Sequence, residues 1–496
     1  MWSDIQLNAG SGAPIYRQLY DSIRHRILSG DLADGTKIPA TRELAGLLGL
    51  NRTTVSAAYE LLEKDGLVRG HVGRGSFVAR PLAVPPLHRL RPQVDFPSLP
   101  PPPSAPAPEG EVISFATSRP AGDLFPVDEF RTTLAEVSSS DHLASILQLG
   151  SPLGYEPLRH WLREQLCALQ TAGPDDDLLI SSGCQQAMDL LVRTFIQPGD
   201  LAILEDPVYP GLREVLHRAG ARLAGIPVTP AGMDLNEAAR VMRRERVKAV
   251  FVTPSFQNPT GSTLSRAARI ELLRLAAESG SVLVEIDIYS ALRYEGEPVP
   301  SMKQLAPANG GAEVVQLGSF SKIAFPGLRV GWILGPARLI DACTAGKQWM
   351  DLHSDHLSQA VLLRFAESGR LDAHRRRVLA AGSARLAAAL AACRTYLPAG
   401  SRFTRPQGGM NLWVRLPDPL DSSVLLRAAE EQGVTYLPGR YFAVGRPDPA
   451  GLRLSFAGID EERIARGVSI LGGLVAAGLQ RSALVSGLTR PATAMV

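Results

Sequence analysis

Residues 318–329 read Gly-Ser-Phe-Ser-Lys-Ile-Ala-Phe-Pro-Gly-Leu-Arg, and this stretch places one lysine between serines and ahead of an arginine. In such an apolar run the amine of Lys322 can form a Schiff base with an aldehyde cofactor. The hydroxyls of Ser319 and Ser321 and the guanidinium of Arg329 can hold a phosphate. The stretch therefore predicts a pyridoxal phosphate site.

Around this stretch, apolar strands alternate with amphipathic helices, and the alternation predicts a mostly parallel, doubly wound α/β sheet with helices on both faces. From about Leu357 the pattern becomes helical and then mixed, which indicates a smaller α+β lobe. Residues 481–496 carry no clear pattern and are predicted to form a disordered tail. The predicted strands are Leu178–Ser181, Leu201–Glu205, Ala249–Thr253, Val282–Asp287, Val314–Leu317 and Val330–Leu334.

Further polar residues at predicted strand ends suit the same cofactor, because ligands of open α/β sheets bind at the carboxyl ends of strands. Asp287 ends its strand and can keep a pyridine nitrogen protonated. Tyr289 and Asn258 can hydrogen-bond the phenolate oxygen of the ring. Tyr209 can stack on the ring, and Arg453 can form a bidentate pair with a carboxylate ligand.

A phosphate cradle is predicted at Gly183, Cys184 and Gln185, which lie between a strand and the start of a helix whose backbone amides attract anions. Taken singly, every one of these residues has a plainer explanation, and Cys184 is expected to pack rather than to act as a nucleophile. The joint occurrence of these residues at strand ends is what makes the prediction specific.

The N-terminal 80 residues carry a different pattern, with three helices predicted at Pro14–Leu28, Thr41–Leu48 and Arg52–Lys64. Asn51 can cap the third helix. Short strands at Leu67–Val68 and Ser76–Val78 follow. The arrangement indicates a winged helix-turn-helix.

Composition sets the broader limits. The 496 residues have a net charge of +3 and 45% hydrophobic residues, which is ordinary for soluble domains. The four cysteines match neither a zinc site nor a disulfide framework, so no metal site and a reducing compartment are predicted. No membrane-spanning run or signal peptide is recognised, which predicts a cytoplasmic protein.

A proline-rich segment separates the two patterns, since residues 81–108 contain eleven prolines. Such a segment predicts an extended linker that could span roughly 85 Å at about 3.1 Å per residue. The predicted domains are residues 1–80, a linker at 81–112, residues 113–480 and the tail.

The motifs Asn258-Pro-Thr-Gly, Asp287-x-Tyr289, Ser-Phe-Ser-Lys322 and Arg329-Val-Gly-Trp resemble those of fold-type I aminotransferases. The resemblance implies that Lys322 is the Schiff-base lysine and gives the other site residues the roles described above. Two positions depart from the family pattern, because Leu149 stands where the family often has a tyrosine and Phe256 stands for a histidine. Gly211 replaces an arginine found in regulators that sense γ-aminobutyrate, which argues against that ligand.

The N-terminal segment resembles the GntR-type winged helix, in which the start of the third helix enters the major groove. The resemblance implies that Arg52 reads a guanine edge while Thr53 and Thr54 meet phosphates or bases, and that Arg42 positions the backbone. His71, Gly73 and Arg74 would lie in the wing near the minor groove. A winged helix that binds another protein is the alternative.

The order of winged helix, linker and aminotransferase-like domain resembles the MocR/GabR family of bacterial transcriptional regulators. The resemblance implies a homodimer that binds double-stranded operator DNA and senses a small amino-compound effector or the cofactor itself. A working aminotransferase with an accessory DNA-binding domain is the alternative, and a fold without cofactor is a third possibility.

Overall fold

The computed structural model describes residues 2, 4–5, 7–8, 13–71, 75–79, 112–306 and 311–488, with the backbone alone for His71 and for 483–488. The chain divides into two compact units, Met1–Ser98 and Leu99–Val496. The division falls inside the predicted linker, whose residues lie outside the described ones except at Val112.

The first unit has the three predicted helices and a small antiparallel sheet whose strand order is β1-β3-β2. The two-residue strand β1 was missed by the sequence analysis because it is too short to show a pattern. The elements are α1 (Ile15–Ser29), β1 (Lys37–Ile38), α2 (Thr41–Leu48), α3 (Arg52–Lys64), β2 (Val68–His71) and β3 (Gly75–Val78).

Local signals explain where these helices begin and end. Gly30 and Gly49 follow α1 and α2 with φ of 92° and 62°, a region that glycine enters without steric cost. The Asn51 side chain accepts a hydrogen bond from Thr53 N at 3.1 Å, as predicted for the cap of α3. Apolar side chains from the three helices meet in one core that includes Leu19, Ile23, Leu44, Val55 and Leu62.

The first described strand of the second unit is β4, and its last described helix is α16. Its elements up to the last strand of the large sheet are β4 (Ile113–Ser114), α4 (Val127–Ser138), α5 (Leu143–Ile146), α6 (Glu156–Ala168), β5 (Asp176–Ser181), α7 (Cys184–Phe195), β6 (Leu201–Asp206), α8 (Pro210–Arg218), β7 (Arg222–Thr229), β8 (Gly232–Met233), α9 (Leu235–Arg244), β9 (Val247–Val252), α10 (Arg266–Ser279), β10 (Val282–Asp287), α11 (Met302–Leu305), β11 (Val314–Ser319) and β12 (Gly331–Pro336).

The remaining elements form the smaller lobe and the helices that lead into it. They are α12 (Ala337–Met350), α13 (His356–Glu367), α14 (Arg370–Tyr396), β13 (Arg402–Phe403), β14 (Asn411–Arg415), α15 (Ser422–Glu431), β15 (Val434–Thr435), β16 (Leu437–Pro438), β17 (Gly451–Ser455) and α16 (Glu461–Leu488).

The large sheet has the strand order β5-β12-β11-β10-β9-β6-β7-β8. Its central strands β11, β10, β9, β6 and β7 run parallel, whereas β12 is antiparallel to both of its neighbours. Separate apolar clusters lie on the two faces of the sheet. This mixed sheet confirms the predicted mostly parallel α/β fold, and it brings the carboxyl ends of β6, β9, β10 and β11 to one edge.

The smaller lobe is built on a four-stranded antiparallel sheet with the order β13-β14-β17-β16, covered by α14, α15 and α16. The predicted boundary of the tail was wrong, because α16 continues to Leu488. That helix is largely apolar, and its side chains Ile464, Val468 and Leu471 pack into the core of the lobe. Residues 489–496 lie outside the described residues.

Among the described helices, α14 is long and apolar enough by length and composition to cross a membrane, although the sequence analysis expected no such segment. Its apolar side chains Val378, Leu386 and Ala389 are buried in the core of the small lobe. Its buried Arg385 donates to the carbonyl of Ala457 at 2.7 Å. These contacts are those of a core helix.

Candidate functional site

Lys322 follows β11 in a single 3-10 turn, Phe320–Lys322, so its side chain starts at the carboxyl edge of the sheet. Its Nζ donates to the Ser118 carbonyl at 2.8 Å and lies 5.9 Å from the centre of the Tyr289 ring. Burial lowers the pKa of Lys322 to about 8, and the positive charges of Arg453 and Arg329 act in the same direction. A larger fraction of neutral, nucleophilic amine is therefore present near neutral pH than for an exposed lysine.

Asp287 ends β10, next to β11, as predicted. Its Oδ1 is buried and has no hydrogen-bond partner among the described residues, while Oδ2 lies 3.5 Å from Gln316 Nε2. Burial raises the pKa of Asp287, while hydrogen bonding by Ser290 and the positive charge of Arg269 oppose that rise. A buried carboxylate oxygen without a donor is costly, and a protonated pyridine nitrogen would satisfy it.

Arg453 lies in β17 and is 4% exposed, with no carboxylate in its hydrogen-bonding range in the described part of the chain. It donates to Asn258 Oδ1 at 3.1 Å and to the Ala116 carbonyl, whereas its Nε has no partner. Its guanidinium lies 5.1 Å from the centre of the Phe442 ring. Burial lowers the pKa of Arg453 to about 10. A buried guanidinium without an anion is a natural carboxylate receptor.

Tyr289 is buried beside Arg453 and Asn258, and burial raises the pKa of its hydroxyl while the charge of Arg453 opposes that rise. The structure thus brings together the side chains of Lys322, Tyr289, Asn258 and Arg453 from β9, β10, β11 and β17 and the turns that follow them.

The predicted phosphate residues also converge. Arg329 Nη2 donates to the Ser182 carbonyl at 3.2 Å, and Ser319 Oγ donates to Ser321 Oγ at 3.0 Å. Gly183 precedes α7 with φ of 84°, and a Cβ there would lie 2.4 Å from Arg329 Nη2. The absence of that side chain leaves the start of α7 open beside an arginine, which is a geometry that suits a phosphate.

Tyr209 and Gln185 lie against each other at this cradle, with Tyr209 Oη donating to Gln185 Oε1 at 3.2 Å. A Cβ on Gly211 would lie 2.5 Å from Cε1 of Tyr209, so only glycine at this position avoids a clash with the Tyr209 ring. Cys184 begins α7, and burial raises the pKa of its thiol to about 12. This thiol is a packing group, as the sequence analysis expected.

The two departures from the family pattern lie in different surroundings. Leu149 is 72% exposed, whereas Phe256 is 1% exposed. The guanidinium of Arg293 lies 4.8 Å from the centre of the Phe256 ring.

The sequence analysis missed the contributions of Ser118, Ala116 and Phe442. The first two act through backbone carbonyls, and no pattern in the sequence marks a carbonyl that will accept a buried cation.

The predicted DNA-binding residues lie in the first unit. Arg42 is exposed on α2, and Arg52 and Thr53 are exposed at the start of α3, with Thr54 half-buried beside them. His71 ends β2, while Gly73 and Arg74 lie outside the described residues. The described residues therefore present one short polar surface at the beginning of α3.

Comparison with known proteins agrees with this division. Residues 111–471 match the family "Aminotransferase class I and II", and residues 15–78 match "Bacterial regulatory proteins, gntR family". The aromatic-amino-acid aminotransferase 1 of Thermococcus litoralis is 35% identical over 370 residues, which are 73% of this chain and 87% of that protein. The structure of Pyrococcus horikoshii kynurenine aminotransferase in complex with PMP has a TM-score of 0.71 and 34% identity, covering 75% of this chain and 92% of that one.

The fold and the site therefore define a protein of the class I and II aminotransferase family that carries a gntR-type DNA-binding unit. The probable rhizopine catabolism regulatory protein MocR of Rhizobium meliloti is 30% identical over 481 residues, which are 94% of each chain. The chain belongs to the MocR family of transcriptional regulators, and its cofactor is pyridoxal phosphate.

The residues present fit this cofactor for two reasons. Asp287 Oδ1 is a buried acceptor without a donor among the described residues, and Gly183 leaves room beside Arg329. When bound, the cofactor supplies an aldehyde that reacts with amines and a ring that withdraws electrons. Lys322 would hold the aldehyde carbon, Asp287 the ring nitrogen, and the cradle the phosphate.

Proposed function

We propose that this protein senses a carboxylated amino compound, and that occupancy of the cofactor site changes its affinity for operator DNA. The single observation that carries the proposal is the buried Arg453, whose Nε has no partner among the residues described. A carboxylate at this point would pair with a cation that the fold leaves without an anion. The amine of the same ligand would then lie toward Lys322, where the aldehyde of the cofactor is held.

The roles of the site residues follow from this proposal. Lys322 would hold the aldehyde carbon of the cofactor, and its lowered pKa favours the neutral amine that forms a Schiff base. Tyr289 and Asn258 orient the ring oxygen, and Tyr209 covers one face of the ring. Arg329, Ser319, Ser321 and the residues Gly183, Cys184 and Gln185 bind the phosphate.

On the DNA side, we assign base reading to Arg52 and phosphate or base contacts to Thr53 and Thr54, with Arg42 on the backbone. The wing residues His71, Gly73 and Arg74 stay predictions. A homodimer is proposed because paired operator sites would be bound by two winged helices. Several large apolar side chains of the second unit are exposed, with Trp349 at 89%, as expected for a surface that another protein covers. Sedimentation analysis of the purified protein tests the proposed homodimer.

We further propose a cytoplasmic location.

Turnover as an aminotransferase is a second candidate, because enzymes with this activity are 34–36% identical to the second unit. The side chains proposed to hold the cofactor and a substrate carboxylate are present, apart from the departures at Leu149 and Phe256, so the geometry is compatible with catalysis. Arg453 supports a carboxylated ligand for either candidate, and the sensor is favoured because the whole chain belongs to a family of transcriptional regulators.

One experiment separates the two candidates. The protein loaded with pyridoxal phosphate is titrated with a panel of amino acids and amines, while visible absorbance and operator binding are followed together. A spectral change that stops at a stable species and shifts DNA affinity supports the sensor. Release of keto acid, with cycling restored by a second keto acid and DNA affinity unchanged, supports the enzyme instead.

A further inference from the structure

A second buried carboxylate lies behind Asp287. Glu285 and Asp287 are two residues apart on β10, and alternate residues of a strand project to the same face of the sheet. Glu285 is 0% exposed. The neighbouring strand β11 pairs Gln316 with Glu285 and Gly318 with Asp287. Two acidic side chains thus share one face of the central sheet, directly below the cofactor edge.

Hydrogen bonds hold Glu285 in place from the opposite side. Its Oε1 accepts from Met302 N at 2.7 Å, and its Oε2 accepts from Lys303 N at 3.0 Å. These bonds fix the carboxylate without neutralising it.

The cations nearest to this carboxylate are already engaged elsewhere. Lys303 Nζ pairs with Asp176 at 2.7 Å. The buried Arg269 from α10 donates to carbonyl oxygens, among them that of Pro254 at 2.9 Å, and to Ser255 Oγ. The positive charge of Arg269 acts on both carboxyl groups and opposes the rise in their pKa. Within the described part of the chain, no direct ion pair cancels the negative charge of an ionised Glu285.

Gln316 connects the two carboxylates. Its Nε2 lies 3.3 Å from Glu285 Oε2 and 3.5 Å from Asp287 Oδ2, and an amide nitrogen has two hydrogens to donate. The amide is thus shared between two acceptors that would otherwise repel each other. It also occupies Oδ2 of Asp287, so that Oδ1, which has no partner in the described residues, is the oxygen left for the ring nitrogen.

We propose that Gln316 and Glu285 are positioning residues for the cofactor: Gln316 orients the Asp287 carboxylate, and Glu285 anchors Gln316 and places a second negative charge behind the ring. The inference concerns the cofactor site itself and rests on the proposed role of Asp287. It holds whether the bound cofactor serves sensing or turnover.

The electrostatics agree with the geometry. Burial raises the pKa of both carboxyl groups, and burial together with the charge of Asp287 raises that of Glu285 to about 7. A pyridinium beside Asp287 adds a positive charge and favours the ionised form of both groups. An ionised Glu285 in turn favours the protonated, long-wavelength form of the cofactor bound to Lys322.

The test is a pH titration of the visible absorbance of the loaded protein, with the dissociation constant of the cofactor measured beside it. Glu285→Gln removes the charge while keeping the size, so the titration midpoint should fall by about one pH unit. Gln316→Leu removes the shared donor, so the cofactor should bind about tenfold more weakly, with a shifted midpoint.

Glu205→Gln is the matched control. Glu205 is a buried carboxyl group on β6 whose Oε2 accepts from Thr253 N at 3.0 Å, and the strands β9 and β10 separate it from Gln316 on β11. Its variant should titrate like the parent. If Glu285→Gln does not fold, Gln316→Leu decides, because it leaves both backbone bonds of Glu285 intact.

The proposal is overturned if folded variants keep the parental midpoint and cofactor affinity, or if Glu205→Gln shifts both equally. If ligand binding changed the visible band but left the affinity for DNA unchanged, the sensor proposal would be refuted. The pH titration would still test the roles of Gln316 and Glu285.

Discussion

The two functional regions of this chain are built in opposite ways. The residues predicted to contact DNA lie within residues 42–74. Those whose side chains are described lie between Arg42 and Thr54, on helices whose ends are set by local signals. The cofactor site collects residues from Ala116 to Arg453, and they come from several different strand ends and loops. The first region therefore needs one small folded unit, whereas the second exists only when the whole sheet and the small lobe are assembled.

The regions also differ in how completely their polar groups are satisfied. Arg52 and Thr53 are exposed and hydrated before any DNA is bound. Asp287 Oδ1 and Arg453 Nε are buried without partners in the described residues. Ligand binding should therefore stabilise the second unit strongly, because it satisfies groups that already carry a desolvation cost.

Lys322→Ala is expected to have the largest effect and tests whether the assembled site depends on one covalent anchor. The visible band of the lysine-bound cofactor should disappear completely, because the covalent bond requires the amine of Lys322. Lys248→Ala, at an exposed lysine of β9, is the control and should keep the band. Absorbance after loading and gel filtration is the measurement, and a band that survives in Lys322→Ala refutes the assignment.

Arg453→Met is expected to have the next largest effect, and it separates ligand recognition from cofactor binding. Loss of a buried cation that pairs with a carboxylate costs about 2–5 kcal/mol, which corresponds to roughly 30-fold or more in affinity. Titrations should show this loss for an amino acid and little change for the corresponding amine without a carboxylate. Equal losses for both ligands would assign Arg453 to the architecture of the site.

Gly183→Ala tests the cradle. The added Cβ would lie 2.4 Å from Arg329 Nη2, on a backbone with φ of 84°. Displacement of the arginine together with backbone strain of about 1–3 kcal/mol should weaken cofactor binding by about tenfold or more. Gly199→Ala is the matched control, because Gly199 also has a positive φ, of 90°, and has open space around its Cβ position. An equal effect of both variants on the dissociation constant would show that strain alone is responsible.

The comparison also explains what the sequence could predict. The helices α2 and α3 begin and end at the predicted residues, because glycine and asparagine signals act within a few residues. The strand β10 was predicted with its bounds, since a buried parallel strand reads as a continuous apolar run. Asp287 and Lys322 were predicted as site residues because each follows such a run.

Other parts of the fold and of the site could not be predicted from a sequence pattern. The strand β7, Arg222–Thr229, was missed because its sequence is interrupted by Gly225 and Pro227, which disfavour strands. The pairing of Glu285 with Gln316 depends on the register between β10 and β11, and this register is a property of the folded sheet. The carbonyls of Ala116 and Ser118 reach the site through a connection that the sequence does not mark.

Arg52→Ala tests the local region. If Arg52 contacts a base, the free energy of specific binding should weaken by about 1–3 kcal/mol, with relaxed preference at one operator position. Arg24→Ala, at an exposed arginine of α1, removes the same charge and is the control for non-specific attraction. Binding isotherms on operator and scrambled DNA are the measurement. A uniform loss on both DNAs in both variants would limit Arg52 to phosphate attraction.

Asn51→Ala is expected to have the smallest effect, and it tests whether the DNA-reading surface depends on local signals alone. The Asn51 side chain accepts from Thr53 N at 3.1 Å and so holds the turn that carries Arg52. Loss of this cap should cost about 1 kcal/mol, because a helix-start amide loses its acceptor. Hydrogen exchange of the α3 amides in the full chain should quicken by about fivefold, while the cofactor band stays unchanged. Asn51→Ser, which keeps a capping oxygen, should exchange like the parent. If Asn51→Ala also altered the cofactor band, the local and the assembled region would not be independent, and the contrast between them would have to be abandoned.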